Sequence, residues 1–104
     1  MLLTIIASDS SVYRNREHLV CELAGVGLPD RLHAFQWDGT KGELEFTEDG
    51  NGCKPVNVKV DALPDWALAC DARFADAKMK KMEREVQVAA QLAQQQAKMA
   101  AQPK

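Results

Sequence analysis

Five side chains in this sequence have the chemistry to hold a metal: His18, Cys21, His33, Cys53 and Cys70. His18 and Cys21 stand three residues apart, a spacing that occurs in zinc sites. A closed tetrahedral site needs a second nearby pair, however, and the sequence supplies none. Three widely spaced cysteines without a CxxC pair point to a reduced setting, in which a free thiol packs as a small hydrophobe. For covalent catalysis, a Ser or Cys nucleophile needs a base and an orienting carboxylate. His33 with Asp30 or Asp38 offers the residue types, but no motif fixes their geometry. There is no nucleophile elbow, phosphate-cradling loop or dinucleotide fingerprint, and the glycines of residues 49–52 have turn chemistry as their simplest cause. The expectation is a protein that is not an enzyme and binds no metal or cofactor.

Charge narrows the partners. The chain has 104 residues with 13 basic and 15 acidic side chains, for a formal net charge of -2. It can build one small core and has no overall field to attract nucleic acid or an anionic membrane. The near-neutral sum is a cancellation: residues 1–65 carry six Lys/Arg against eleven Asp/Glu, net -5, and residues 66–104 carry seven against four, net +3. The basic cluster Lys78, Lys80, Lys81 and Arg84 is interspersed with Asp71, Asp76, Glu83 and Glu85, and no aromatic platform accompanies it. That pattern is a solvated helix face beside an apolar seam rather than a nucleic-acid stripe. Residues 1–6 are apolar but lack a basic flank and are too few for a signal peptide or a membrane span. Synthesis in the cytoplasm, without export or a membrane anchor, is expected.

The elements that must position these groups fall into two kinds. Residues 1–6 are rich in strand formers and residues 7–11 form a polar turn cluster. Residues 12–22 hold a second strand-like stretch, in which the polar 14–17 segment is either a hairpin turn or an exposed run. Gly25, Gly27 and Pro29 then break regular structure. Residues 32–37 and 43–47 flank Asp38-Gly-Thr-Lys-Gly42, a loop with the chemistry of a hairpin. Strict alternation places Leu44 and Phe46 on one face, with Glu43, Glu45 and Thr47 toward water. After a turn at residues 48–52, Val56, Val58 and Val60 alternate and are expected inward, which completes a three-stranded antiparallel meander. The aromatics Phe35, Trp37, Phe46 and Trp66 most often serve a core. Phe35 and Trp37 share one face of their strand, with Leu32, Ala34 and Gln36 on the other. One helix cannot cover both sides, so the Phe35–Trp37 face is also a candidate contact surface.

After Val60 the apolar period changes from two to about three and a half. Asp61 or Asp65 can cap a helix with Pro64 at its start and Trp66 in its first turn. From there to Met99 no Gly or Pro intervenes, and Ala, Gln, Lys, Met and Glu dominate. On a heptad template, the a and d positions are Ala72, Ala75, Met79, Met82, Val86, Ala89, Ala93, Gln96 and Ala100, of which eight of nine are apolar. This is enough for a coiled-coil reading. An alanine seam buries little area at ~25 cal/mol per Å², so the helix is expected to need a partner. Residues 94–104 are expected to fray.

The stretch Trp37-Asp-Gly-Thr-Lys-Gly-Glu-Leu-Glu-Phe46 resembles small proteins of tailed bacteriophages and prophages that are found among tail-fibre and tail-assembly genes. Leu32-His-Ala-Phe-Gln36 before it, Lys54-Pro-Val-Asn57 and Leu63-Pro-Asp-Trp66 after it, extend the similarity over residues 30 to about 70. The C-terminal helix shares only its Ala-rich, Gln-rich character. The motif is structural, a hairpin with a Trp before its turn, and brings no catalytic residues. Cys53 and the Gly50-Asn-Gly52 turn depart from the shorter acidic loop of that family. The resemblance implies a component of the virus particle or an assembly factor.

Together these readings give an α+β protein, with an antiparallel β domain at residues 1–62 and a long amphipathic helix within residues 63–104. The implied role is a non-enzymatic phage tail component, made in the host cytoplasm and located in the virion. It would bind the tail fibre or baseplate and form a homo- or hetero-oligomer through the helix, using Phe35, Trp37, Ala72, Ala75, Met79, Met82, Val86, Ala89 and Ala93. A transient tail-fibre assembly chaperone is the alternative. A phage-encoded inhibitor of a host protein, with the acidic β domain mimicking nucleic acid, is the third.

Overall fold

A computed structural model describes residues 1–48 and 50–101. The strands are β1 (Leu3–Ile6), β2 (Ser11–Arg14), β3 (Glu17–Val20), β4 (Leu32–Trp37), β5 (Gly42–Phe46) and β6 (Val58–Val60), and one helix follows, α1 (Asp65–Ala101). All strand pairs are antiparallel and the sheet order is β3-β2-β1-β4-β5-β6. The protein is therefore α+β: a six-stranded antiparallel sheet followed by a single long helix. The expected meander over residues 32–60 forms half of the sheet. Strands β1, β2 and β3 form a second meander, joined to the first where β1 pairs with β4. The polar 14–17 segment is a hairpin turn, in which Asn15 and Arg16 both take left-handed backbone, φ 48° and 74°. Two such residues make the turn type whose twist matches that of the flanking strands. Asn15 is also tied to the start of the chain: its Oδ1 accepts the Leu2 N–H at 2.9 Å and its own N–H donates to the Leu2 carbonyl at 2.9 Å.

Register sets one apolar face. Leu19, Val12, Ile5, Phe35 and Leu44 lie opposite one another across five strands, and Leu3, Trp37, Gly42 and Val60 form the neighbouring row. A Cβ on Gly42 would lie 2.9 Å from ring atoms of both Phe35 and Trp37, so only glycine leaves room for the two buried rings. The register shifts between Leu32 and Ala34, which makes Leu32 the partner of Phe46 on the core side. Simple alternation had placed Leu32 with Ala34 and Gln36; the irregularity at His33 reverses it. The valines after the second turn also differ from expectation. Only Val58–Val60 forms a strand, Val56 is 86% exposed and Val58 47%, and Val60 alone packs on the core. β6 is an edge strand, and the main contacts of the helix lie in the opposite half of the sheet, with β2 and β3.

The helix begins at Asp65, where the Pro64 carbonyl accepts the N–H groups of Ala67 and Leu68 at 3.0 and 3.1 Å. Ala67, Cys70, Phe74 and Ala77 step along it by three and four residues and face the sheet, and Trp66 meets Phe35 edge to face at 5.0 Å. Residues 21–31 complete the cover with Cys21, Leu23, Val26 and Leu28, and Arg73 holds that connection by donating to the carbonyls of Glu22 and Ala24 at 3.2 and 3.3 Å. Arg14 Nε lies 3.2 Å from Asp71 Oδ1, close enough for an ion pair though not aligned as a hydrogen bond, and Lys78 Nζ is 2.9 Å from Glu17. The core thus runs across the expected boundary at residue 62 as far as Ala77. Beyond it, residues 78–98 are all exposed. The 37-residue helix is about 55 Å long at 1.5 Å per residue. The radius of gyration is 20.1 Å, against roughly 13 Å for a compact chain of this size. Expected fraying from residue 94 is not seen, since the helix is continuous to Ala101. The rest of that expectation, residues 102–104, and Asp49 of the expected 48–52 turn lie outside the described residues.

Candidate protein-contact surface

Of the residues with catalytic or metal-binding chemistry, the structure brings together only Cys21 and Cys70, as neighbours in the core. His18 sits on the uncovered sheet face, stacked on Tyr13 with ring centroids 4.5 Å apart and its Nε2 2.9 Å from Ser11 Oγ. Cys21 lies in the core, where burial pushes its thiol up. The pair therefore diverges despite its spacing. Cys70 is also buried and pushed up to about 11, first by desolvation, then by the neighbouring Cys21, with Arg73 acting in the opposite direction. Cys53 has an exposed position in the loop before β6. Among the described residues no three His, Cys, Asp or Glu side chains cluster as a metal site. Asp38 is a turn anchor: its Oδ1 accepts the N–H of Lys41 at 2.7 Å and of Thr40 at 2.9 Å, and the Thr40 hydroxyl at 3.1 Å. Those bonds, with Lys41 foremost, hold its carboxyl below the usual carboxylate range. His33 is exposed at the β4 irregularity. Among the described residues no helix is long and apolar enough to cross a membrane.

Phe35 and Trp37, read from the sequence as either core or contact surface, are both buried in the core. Helix α1 and residues 21–31 cover their side of the sheet, so no aromatic contact face is left open there. The other side carries Tyr13, His18, Gln36, Glu43 and Lys59, with Thr4 half-buried among them. Its acidic groups are engaged: Asn57 Nδ2 donates to Glu43 at 3.2 Å and Lys54 Nζ meets Glu45 at 3.1 Å. An antiparallel sheet with one wet face has this polar character without any further role.

Helix α1 is where exposed apolar surface gathers. Ala72, Ala75, Met79, Met82, Val86, Ala89 and Ala93 are all exposed, with Met79 at 59%, Met82 at 53% and Val86 at 68%. At 3.6 residues per turn this seam lies roughly 130° around the helix from the line Ala67, Cys70, Phe74, Ala77 that faces the sheet. The sheet therefore covers none of it. The first half of the helix serves two faces at once, and the second half is exposed at every residue through Lys98, with Arg84 bordering a recess beside Val20, Cys21 and Glu22. Val88 and Leu92, 54% and 53% exposed, form a second ridge over a shallow groove with Lys81, Arg84, Glu85 and Ala89. A template anchored at residue 72 misses them. The signal was the other line, because 67, 70, 74, 77, 81, 85, 88 and 92 continue the sheet-facing steps of three and four past the end of the sheet. Over residues 78–98 five basic and two acidic side chains give the arm a net charge of +3.

Such an arm has no catalytic geometry; what it can do is bury apolar surface against another protein. Comparison of the chain with protein-family models, curated proteins and solved structures found no match.

Proposed function

We propose that this chain is a non-enzymatic component of a bacteriophage tail, in which the folded unit of residues 1–77 carries a helical arm that binds the tail fibre or baseplate. The observation that carries the reading is the arm itself. Residues 78–98 leave the sheet and expose Met79, Met82, Val86, Val88 and Leu92. A monomer has little use for five large apolar side chains on two ridges of one exposed helix, and exposed apolar surface of this extent marks a protein contact. Phe35 and Trp37 take no direct part, since they are buried; they hold the sheet that carries the arm. The phage setting rests on the resemblance over residues 30 to about 70.

The alternative, a transient tail-fibre assembly chaperone, draws support from the alanines of the seam, each of which buries little area and so suits release as well as docking. The test is quantitative mass spectrometry of purified phage particles, together with deletion of the gene. Stoichiometric presence in the tail is the expected result. Absence from particles that nevertheless fail to assemble fibres without the gene transfers the role to the chaperone. Normal particles in its absence overturn both.

A further inference from the structure

We propose that the seam Ala72, Ala75, Met79, Met82, Val86, Ala89, Ala93 is occupied by the same seam of a second copy, in a parallel, in-register, two-stranded coiled coil. The inference rests on reading α1 as a protein-contact helix, not on the phage setting. Three features select this occupant and orientation. The first is clearance. The seam points roughly 130° away from the sheet-facing line, so two copies can meet along it with their sheets on opposite outer sides, and the exposure of Ala72 and Ala75 carries the seam up alongside the sheet-packed half.

The second feature is the placement of charge. In the heptad frame, the excess basic groups Lys80, Lys81, Arg84 and Lys98 fall at b, c and f, away from a partner. The flanking e and g positions from 78 onward hold Lys78, Glu83, Glu85, Ala90, Leu92 and Ala97. In a parallel dimer each g position faces the e position five residues later in the other chain. Lys78 then meets the second copy's position 83, a glutamate, twice over by symmetry, and Leu92 covers an alanine at 97 where the seam itself is thinnest. Asp71 and Asp76 also face each other in this scheme. Each already has a cation beside it in its own chain, Arg14 at 3.2 Å and Lys80 at 3.3 Å. Lys78 is shared with Glu17, which it meets at 2.9 Å in the single chain.

The third feature is Gln96, the one polar d position of the seam among the described residues. In a parallel, in-register pair, two amides face one another and can exchange donor and acceptor. In the antiparallel arrangement centred on Val86 and Ala89, Gln96 faces Met79, and the Lys78–Glu83 pair does not form. A single polar core position is the device that fixes register in such dimers. With only Met79, Met82 and Val86 as large seam residues, a dimer of roughly micromolar affinity is expected.

The test uses the full chain. Sedimentation equilibrium from about 1 to 500 µM should show a reversible monomer–dimer transition, and Glu83→Lys should weaken it roughly three- to tenfold. In a Cys53→Ser background, Met79→Cys and Ala93→Cys should each cross-link to themselves under mild oxidation, and the outward-facing Gln87→Cys should not. A monomer throughout the concentration range refutes the proposal. So does a trimer or larger species, and so does cross-linking of Met79→Cys to Gln96→Cys in preference to itself. A monomer found stoichiometrically in particles removes the dimer and leaves the proposed function standing, whereas a dimer absent from particles does the reverse.

Discussion

Replacing Phe74 by alanine separates the docked half of the helix from the free half. Phe74 is 1% exposed, stands between Cys70 and Ala77 on the sheet-facing line, and has the Arg14 guanidinium 6.0 Å from its ring centre. It is the last large side chain that binds α1 to the sheet. Truncating a buried Phe costs about 3–5 kcal/mol, and a domain of this size has about 5–15 kcal/mol in total. Phe74→Ala is therefore expected to remove a fifth or more of the stability, at the high end enough to unfold the core at 37 °C. Leu92→Ala, on the exposed ridge, should stay within about 0.5 kcal/mol at concentrations too low for association. Urea unfolding, followed by the fluorescence of Trp66 and Trp37 for the core and by circular dichroism for the helix, measures both. In the parent chain the helix signal should begin to fall before the fluorescence, because the arm has no packing of its own. Equal costs for Phe74→Ala and Leu92→Ala would refute the division of the helix at Ala77.

Four further outcomes follow from the packing. Gly42→Ala should destabilise by about 1–3 kcal/mol, because the new methyl group meets Phe35 and Trp37 ring atoms at 2.9 Å; the same urea assay detects it. A maleimide should modify the exposed Cys53 rapidly in the native protein, with Cys21 and Cys70 reacting only on unfolding, and intact mass after timed quenching counts the labels. The Cys70 thiol, raised from 9.0 to about 11 in the folded chain, keeps its full contribution to stability below about pH 9 and loses it as pH rises toward 11, a loss of about 2–3 kcal/mol. Cys70→Ser should reduce that alkaline loss in urea midpoints measured from pH 8 to 11, leaving the part that belongs to the buried Cys21. Residues 1–78 alone should keep the native Trp fluorescence and a stability within about 1 kcal/mol of the full chain, since residues 79–98 are all exposed.

The hairpin of β4 and β5 is legible because its signals agree: alternation at Glu43 to Thr47 and left-handed-tolerant glycines in the loop; the anchoring of that loop by Asp38 is visible only in the structure. The helix was legible from composition and period. Two things were not. Alternation alone cannot show a register shift, so it puts Leu32 on the wrong face, and it cannot show which strands a helix covers, so it turns Val56 and Val58 inward although β6 lies at an uncovered edge. The helix seams present the converse case. The line at 72, 75, 79, 82, 86 was visible as a heptad, but a second line at 67, 70, 74, 77 shares the same turns, and only the packing shows that the second line docks and the first stays open. The aromatic pair Phe35 and Trp37 had two readings for the same reason, and the cover supplied by residues 21–31, a segment with no periodic signal, decides for the core.

The central claim is that residues 79–98 are a bare contact arm, and hydrogen exchange tests it most directly. At about 1 µM, amides of residues 79–98 should exchange far faster than those of residues 66–77, and should become protected when the chain sits in an assembled tail. An arm already as protected as residues 66–77 in the dilute chain, or one no slower in the particle, would contradict the account.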